Sequence, residues 1–192
     1  FLFEHDIAFQ SISRAIWKRG RLLTRMRYGY EYLRVLRFEL QCVPKFDGIQ
    51  VCTAENRRYL ESFIWDQTPI HDGFRAGIDV AGYPYQEEGR DPDTLLFVGN
   101  FRHLPNREAL AFFVHCVFPE IRNRNPQVRL VVAGAQAPPG FEEGLRRPGI
   151  EYLGRVDSIQ DVLARYAVFV CPVLSGSGIR VKLLEAFASG IP

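Results

Sequence analysis

Hydrophobic positions along the chain alternate between two spacings, which predict strands and helices in turn. Short apolar runs rich in β-branched residues are typical of buried strands, and apolar residues three or four positions apart are typical of helices. The alternation becomes regular after position 93. It predicts strands over 94–98, 128–133, 150–153 and 168–173, and helices over 106–121, 141–147, 158–166 and 179–188.

This order predicts an α/β fold with a Rossmann-like parallel sheet and helices on both faces. Successive parallel strands need crossover connections, and these are almost always right-handed, so the helices cover both sides. The loop after each strand then opens at the carboxyl edge of the sheet. Such sheets bind their ligands at that edge.

The first 80 residues have a different pattern, which predicts a partial, helix-rich domain. Short strands are expected at 1–3 and 48–53, and a helix over 54–63 with Thr53 as its N-cap. Residues 77–92 contain three glycines, two prolines and four acidic residues, a composition typical of a linker. We therefore expect domains at 1–80 and 94–192 joined by a linker at 81–93. The chain lacks an initiator Met and stops where another strand is expected, so we expect a fragment of a longer protein.

Residues 14–37 carry eight Lys and Arg residues but a single acid, Glu31, in an amphipathic helical pattern. A solvated helix face would explain this pattern. A helix lying on an anionic membrane surface would explain it equally well, since each basic residue there contributes ~1 kcal/mol. The chain as a whole has a net charge of only +2, which argues against nucleic acid as a partner.

Cysteine and histidine positions predict neither a disulfide framework nor a metal site. No CxxC pair occurs and the four histidines are scattered along the chain. No apolar run approaches the ~20 residues that span a bilayer. We expect a cytoplasmic protein without cofactor, with the membrane's inner face as a further location. The cysteines are Cys42, Cys52, Cys116 and Cys171.

The stretch 168–192 predicts a strand, a Gly/Ser loop at 175–178 and a helix that Gly190 ends. Arg180 and Lys182 fall near the first turn of that helix, where the helix dipole disfavours cations. A bound phosphate would reverse this cost, but from the loop alone a solvated position for both charges is equally compatible. Neither GxGxxG nor GxxxxGK[ST] occurs, which argues against dinucleotide oxidoreductases and P-loop NTPases.

Four segments together resemble the second domain of the group 1 (family 4) glycosyltransferases. They are FVGN at 97–100, VVAG at 131–134, YLGRV at 152–156 and GSGIRVKLLEA at 176–186. The resemblance implies the GT-B architecture, in which two Rossmann-like domains face each other across a cleft. It also implies retaining, metal-independent transfer from a UDP- or GDP-sugar to a glycan or lipid-linked acceptor. Residues 1–80 would then belong to the acceptor-side domain.

The resemblance assigns roles to individual residues. Glu185 matches the glutamate that binds the ribose hydroxyls, and Arg180 and Lys182 match cations that neutralise the diphosphate. His5 matches a catalytic-cleft histidine that hydrogen-bonds the reacting sugar. The remaining donor-binding positions, in the loops at the diphosphate and donor sugar, are Gly99, Asn100, Ser177, Gly178 and Ile179.

The sequence departs from the family pattern at two places. Ser177 stands where a glutamate is common, and Asn100 and Asn106 stand where cations are common, so Arg102 or Arg107 would have to help at the diphosphate. Two other functions stay open: a sugar-nucleotide epimerase of the same architecture, and an interaction module without catalysis. We expect the 192 residues alone to be inactive, since much of the first domain would be missing.

Overall fold

The computed structural model describes residues 1–4, 6–16, 22–64, 68–73, 77–174 and 179–192, without the side chains of Arg14 and Ala15. The chain divides into two compact units. Of the described residues, the first unit contains those up to position 73 with Ile179, and the second contains residues 77–174 and 180–192.

In the described part of the first unit, three parallel strands pair in the order β1-β2-β3. Apolar side chains from strands and helices, among them Phe9, Ile49 and Leu60, form its core. The predicted N-cap is confirmed, because the Thr53 hydroxyl accepts a hydrogen bond from the backbone N–H of Asn56 at 3.1 Å. The elements are β1 (Leu2–Glu4), α1 (Ala8–Ile16), α2 (Leu22–Cys42), β2 (Ile49–Val51), α3 (Ala54–Glu61) and β3 (Ile70–His71).

Helix α2 contains most of the basic stretch and has apolar side chains on two sides. Tyr32, Val35 and Leu36 pack against the core of the first unit. Other large apolar side chains are exposed, and Leu23 has 81% of its surface accessible. Residues 17–21 of the basic stretch lie outside the described residues. The exposed apolar residues of α2 are Leu22, Leu23, Met26, Tyr30, Leu33 and Phe38.

Four parallel strands in the described part of the second unit pair in the order β6-β5-β4-β7. This confirms the predicted Rossmann-like parallel sheet. In its register Leu96 lies opposite Val131 on one side and Phe169 on the other. The strands are β4 (Asp91–Val98), β5 (Arg129–Ala133), β6 (Ile150–Gly154) and β7 (Tyr166–Phe169).

The predicted strand at 168–173 was wrong at both ends, because β7 covers Tyr166–Phe169. The backbone N–H of Val170 still donates to the Leu96 carbonyl at 2.8 Å, but the chain then turns away. Pro172 has no N–H to continue the ladder, and the N–H of Val173 bonds locally to the Cys171 carbonyl. Residues 170–174 therefore form a loop at the carboxyl edge of the sheet.

Helices pack on both faces of this sheet, as predicted. Successive strand residues point to opposite faces, and apolar side chains lie on both of them. One face packs Phe97, Leu110 and Leu130, and the other packs Leu96, Leu163 and Ala186. A π-helical turn over Phe113–Val117 joins α4 to α5 just before Pro119, which then falls in the first turn of α5. The helices are α4 (Leu104–Phe112), α5 (Phe118–Arg124), α6 (Phe141–Leu145), α7 (Ile159–Arg165) and α8 (Val181–Ala188).

Gly190 ends α8, as predicted. Its φ of +69° is a left-handed conformation that favours glycine. The N–H of Gly190 donates to the Phe187 carbonyl at 3.1 Å, and the N–H of Ile191 donates to the Ala186 carbonyl at 3.2 Å. This pair of bonds is a Schellman motif, which satisfies the last carbonyls of the helix.

Arg90 ties the segment before β4 to two helices of the second unit. Its guanidinium donates hydrogen bonds to the carbonyls of Leu163, Ala164 and Tyr166 at the end of α7, and to the Ser189 carbonyl at the end of α8. Cations are favoured at helix carboxyl ends. Burial lowers the pKa of Arg90. The segment just before β4 is therefore held against the ends of α7 and α8.

Replacing Arg90 with Met should lower the free energy of unfolding by about 2–4 kcal/mol, since several helix-end carbonyls lose a charged donor. Urea denaturation measures the change. Arg129→Met is a matched control, because Arg129 is half exposed and lies 3.7 Å from Glu151 in a surface pair. Such pairs contribute about 1 kcal/mol or less. Equal losses for the two variants would contradict the role given to Arg90.

Candidate functional site

The strand order places a topological switch point between β4 and β7, and we call the carboxyl edge of the sheet at that point the β4–β7 crevice. The chain runs outward from β4 to β5 and β6, then crosses back to place β7 on the other side of β4. Loops that follow β4 and β7 therefore lead away in opposite directions, and α/β sheets bind ligands at such a switch point. Gly99 and Asn100 directly follow β4, and α8 follows the loop after β7.

Lys182 joins the two sides of this crevice. Its ammonium group, in the first turn of α8, donates to the Val98 carbonyl at 3.0 Å and to Asn106 Oδ1 at 2.9 Å. It also lies 5.5 Å from the centre of the Phe97 ring. Burial lowers the pKa of Lys182. Because both acceptors are uncharged, they orient the ammonium group without neutralising it, which suits an anionic ligand.

Side-chain amides connect the loops after β4 and β5. Asn106 Nδ2 donates to the Asn100 carbonyl, and Asn100 Nδ2 donates to Gln136 Oε1, both at 2.9 Å. Asn100 Oδ1 also accepts from the N–H of Arg102 at 2.9 Å. Gln136 has a φ of +58°, a conformation that costs a residue other than glycine of order 1 kcal/mol. The network thus holds the Gly99–Asn100 turn against Lys182 on one side and the β5 loop on the other.

The backbones of the loops after β4 and β5 come into close contact at Gly134. A Cβ atom on Gly134 would collide with the Gly99 carbonyl oxygen and would lie 2.6 Å from the Phe101 ring. Gly99 is itself crowded, with Asn106 Cβ 3.2 Å from the place of its own Cβ. Gly134 was not among the predicted site residues, although a glycine directly after a buried strand is a signal of close backbone approach.

Glu185 lies one turn along α8 from Lys182, so both side chains occupy one side of the helix. The hydroxyl of Tyr83 donates to Glu185 Oε1 at 2.8 Å. Burial, followed by the hydrogen bond and charge of Glu185, raises the pKa of Tyr83 to about 12. Tyr83 was not predicted from the sequence, because it lies in the Gly/Pro-rich segment and has no periodic pattern around it.

A sequence model of the family described as "Glycosyl transferases group 1" matches residues 92–192, more than half of the chain. The chain belongs to the group 1 glycosyltransferases. Over 101 residues it is 29% identical to a Klebsiella pneumoniae protein described as "Uncharacterized 44.6 kDa protein in cps region". That match covers 48% of this chain and 26% of the Klebsiella protein.

Solved structures confirm the predicted GT-B-like fold. The pneumococcal O-GlcNAc transferase GtfA, in complex with UDP and GlcNAc, matches with a TM-score of 0.64 at 20% identity. TarM matches with a TM-score of 0.64 at 13% identity. Each match covers 83% of this chain, which spans 32% of GtfA and 31% of TarM. At these identities the likeness concerns the fold.

Within this glycosyltransferase domain, five of the predicted donor-binding residues belong to the second unit. They are Gly99, Asn100, Arg180, Lys182 and Glu185. Arg180 directly precedes α8, and its carbonyl accepts from the N–H of Leu183 at 2.9 Å. Their roles towards a ligand stay predictions.

Not all of the predicted site residues belong to this group. Ile179 groups with the first unit, while His5, Ser177 and Gly178 lie outside the described residues. Arg107, expected to help at the diphosphate, lines a cavity of about 280 Å³ between α4 and α6 with His115 and Phe141. Its buried Nε has no hydrogen-bond partner among the described residues.

Proposed function

We propose that this group 1 glycosyltransferase moves a sugar from a UDP- or GDP-sugar to a glycan or lipid-linked acceptor. One observation carries the proposal: the Lys182 ammonium is fixed at the β4–β7 crevice, one helical turn from the Glu185 carboxylate. A nucleoside diphosphate offers the matching groups in the same order, an anionic diphosphate followed by a ribose diol.

The diphosphate would lie at the start of α8. When the bond between the anomeric carbon and the β-phosphate oxygen breaks, both electrons remain on that oxygen, so negative charge develops on the leaving diphosphate. Lys182, Arg180 and the positive end of the α8 dipole would stabilise that charge. Their positions before the reaction reduce the reorganisation that the transition state requires.

The ribose would lie at Glu185. A carboxylate has two acceptor oxygens with about four lone-pair sites, enough for both hydroxyls of a vicinal diol. The GtfA structure holds UDP and GlcNAc, which supports the proposal of a nucleotide-sugar donor.

The chemistry implied by the family completes the proposal. Transfer would retain the configuration of the anomeric carbon and would need neither a metal ion nor a cofactor, with Arg180 and Lys182 supplying the positive charge. His5 would hydrogen-bond the reacting sugar as the catalytic residue of the acceptor-side domain.

The acceptor side is proposed to rest on an anionic membrane surface through α2. The exposed apolar side chains of α2 lie beside arginines, a combination that favours the interface of an anionic bilayer. No helix in the described residues is long and apolar enough to cross a membrane. The Klebsiella relative is named for a cps region, which fits an envelope-polysaccharide acceptor. The arginines are Arg25, Arg27, Arg34 and Arg37.

Vesicle co-sedimentation tests this location. We expect binding to vesicles with anionic lipid, little binding to neutral ones, and a clear loss for Leu23→Gln with Leu33→Gln. Val80→Gln, an exposed apolar position on the second unit, is the control. Equal binding to neutral and anionic vesicles would remove the membrane proposal and leave the donor site untouched.

Product analysis by NMR tests the reaction. The intact protein is incubated with UDP- and GDP-sugars, with and without glycan or lipid-linked acceptors. Transfer to an acceptor supports the proposal. Isomerised nucleotide-sugar without any acceptor would instead identify an epimerase, and failure to bind any nucleotide would indicate a module without catalysis.

A further inference from the structure

Backbone hydrogen bonds and the packing of its ring both fix the position of Tyr83, in addition to its bond to Glu185. It ends a 3₁₀ turn over Val80–Gly82, and its N–H donates to the Val80 carbonyl at 3.0 Å. The Asp79 side chain caps that turn by accepting from the N–H of Ala81 at 3.2 Å. The Tyr83 ring packs against the apolar core on the α7–α8 face of the sheet.

The hydroxyl of Tyr83 therefore reaches Glu185 from a fixed ring, at 2.8 Å. Its pKa is raised to about 12, so the hydroxyl keeps its proton and acts as a donor across the neutral range. After accepting this bond, the Glu185 carboxylate still has lone pairs for two further donors. The bond thus restricts the rotation of the carboxylate without using up its capacity to accept.

We propose that Tyr83 is a positioning residue for nucleotide recognition, whose hydroxyl holds the Glu185 carboxylate in the orientation that accepts the ribose hydroxyls of the donor. The inference rests on the proposed function, because it assumes that Glu185 meets a ribose. It adds that preference for a ribonucleotide over a 2′-deoxyribonucleotide depends on Tyr83. A glutamate that rotates freely would have to be ordered by the ligand, at a cost in affinity.

Tyr83→Phe separates this role from packing, since the ring remains and the hydroxyl is removed. Tyr85→Phe is a matched control in the same segment, because the Tyr85 hydroxyl donates to the exposed Glu87 at 2.9 Å. Calorimetry on the intact protein gives dissociation constants for UDP, GDP and their 2′-deoxy analogues, and thermal unfolding monitors the fold.

For Tyr83→Phe we expect binding of the preferred ribonucleotide to weaken by about three- to tenfold. The 2′-deoxy analogue should lose less, so the ratio of the two affinities falls. Tyr85→Phe should leave both affinities unchanged. If Tyr83→Phe matches the wild type, or weakens both nucleotides by one factor, Tyr83 does not position Glu185 for the ribose.

The proposed function and the role of Tyr83 can be overturned separately. If the wild type binds neither UDP nor GDP, both the proposed function and the role of Tyr83 are overturned. If the wild type binds one of them and Glu185→Gln weakens binding while Tyr83→Phe does not, the role of Tyr83 alone is overturned.

Discussion

Replacing Lys182 with Met is expected to lower kcat/KM for sugar transfer by about a hundredfold or more, the loss typical when a preorganised stabilising group is removed. The ammonium group lies at the crevice, held by Val98 and Asn106, where negative charge is proposed to develop on the diphosphate. Met keeps most of the side-chain volume, so the helix should stay in place. Steady-state kinetics with the preferred nucleotide-sugar measures the effect.

Two comparisons make this result specific to the diphosphate. Lys45→Met removes an exposed lysine of the first unit and should change kcat/KM less than about twofold, since isolated surface charges contribute little. Binding of the nucleoside without phosphates should be nearly equal in the Lys182 variant and the wild type. An equal loss for nucleoside and nucleoside diphosphate would contradict a diphosphate contact for Lys182.

Gly134→Ala should lower the free energy of unfolding by about 2–4 kcal/mol and weaken nucleotide binding at least tenfold. The added Cβ would collide with the Gly99 carbonyl oxygen and crowd Phe101. Since backbone cannot move aside as a flexible side chain can, the loops after β4 and β5 must separate. Urea denaturation and nucleotide titration measure the two losses.

Gly144→Ala is the control for this substitution. Gly144 lies in α6, and a Cβ atom there would lie more than 4 Å from every described heavy atom outside its chain neighbours and the backbone of its own helix. This variant should keep full nucleotide affinity and be no less stable, because alanine has the higher helix propensity. Wild-type affinity in Gly134→Ala would show that the approach of the two loops is not needed for the site.

Much of the sheet could be predicted because its strands are continuous apolar runs. Leu96, Phe97 and residues 130–133 are buried between helices on both faces, and the apolar, partly β-branched runs around them indicate this directly. The end of β7 could not be predicted in the same way. The run 168–173 stays apolar after the pairing ends, because the loop after Phe169 still packs Val170 and Val173 against the core.

Part of the candidate site could likewise be predicted from the sequence, and part could not. The positions of Lys182 and Glu185 follow from helical spacing in α8, and their expected roles follow from the family resemblance. Tyr83 is more than a hundred positions from Glu185, so their contact depends on the packing of a Gly/Pro-rich segment that has no periodic pattern. The Lys182–Asn106 bond likewise joins residues 76 positions apart. Local patterns predict elements, whereas such pairings are decided by the tertiary packing.

The most direct test of the donor site is a crystal structure of the intact protein grown with UDP or GDP. We expect the diphosphate at the amino end of α8, with an oxygen about 3 Å from the Lys182 ammonium group. The ribose hydroxyls should lie within hydrogen-bond distance of Glu185. A nucleotide bound away from the β4–β7 crevice, or bound there with its ribose turned away from Glu185, would contradict it.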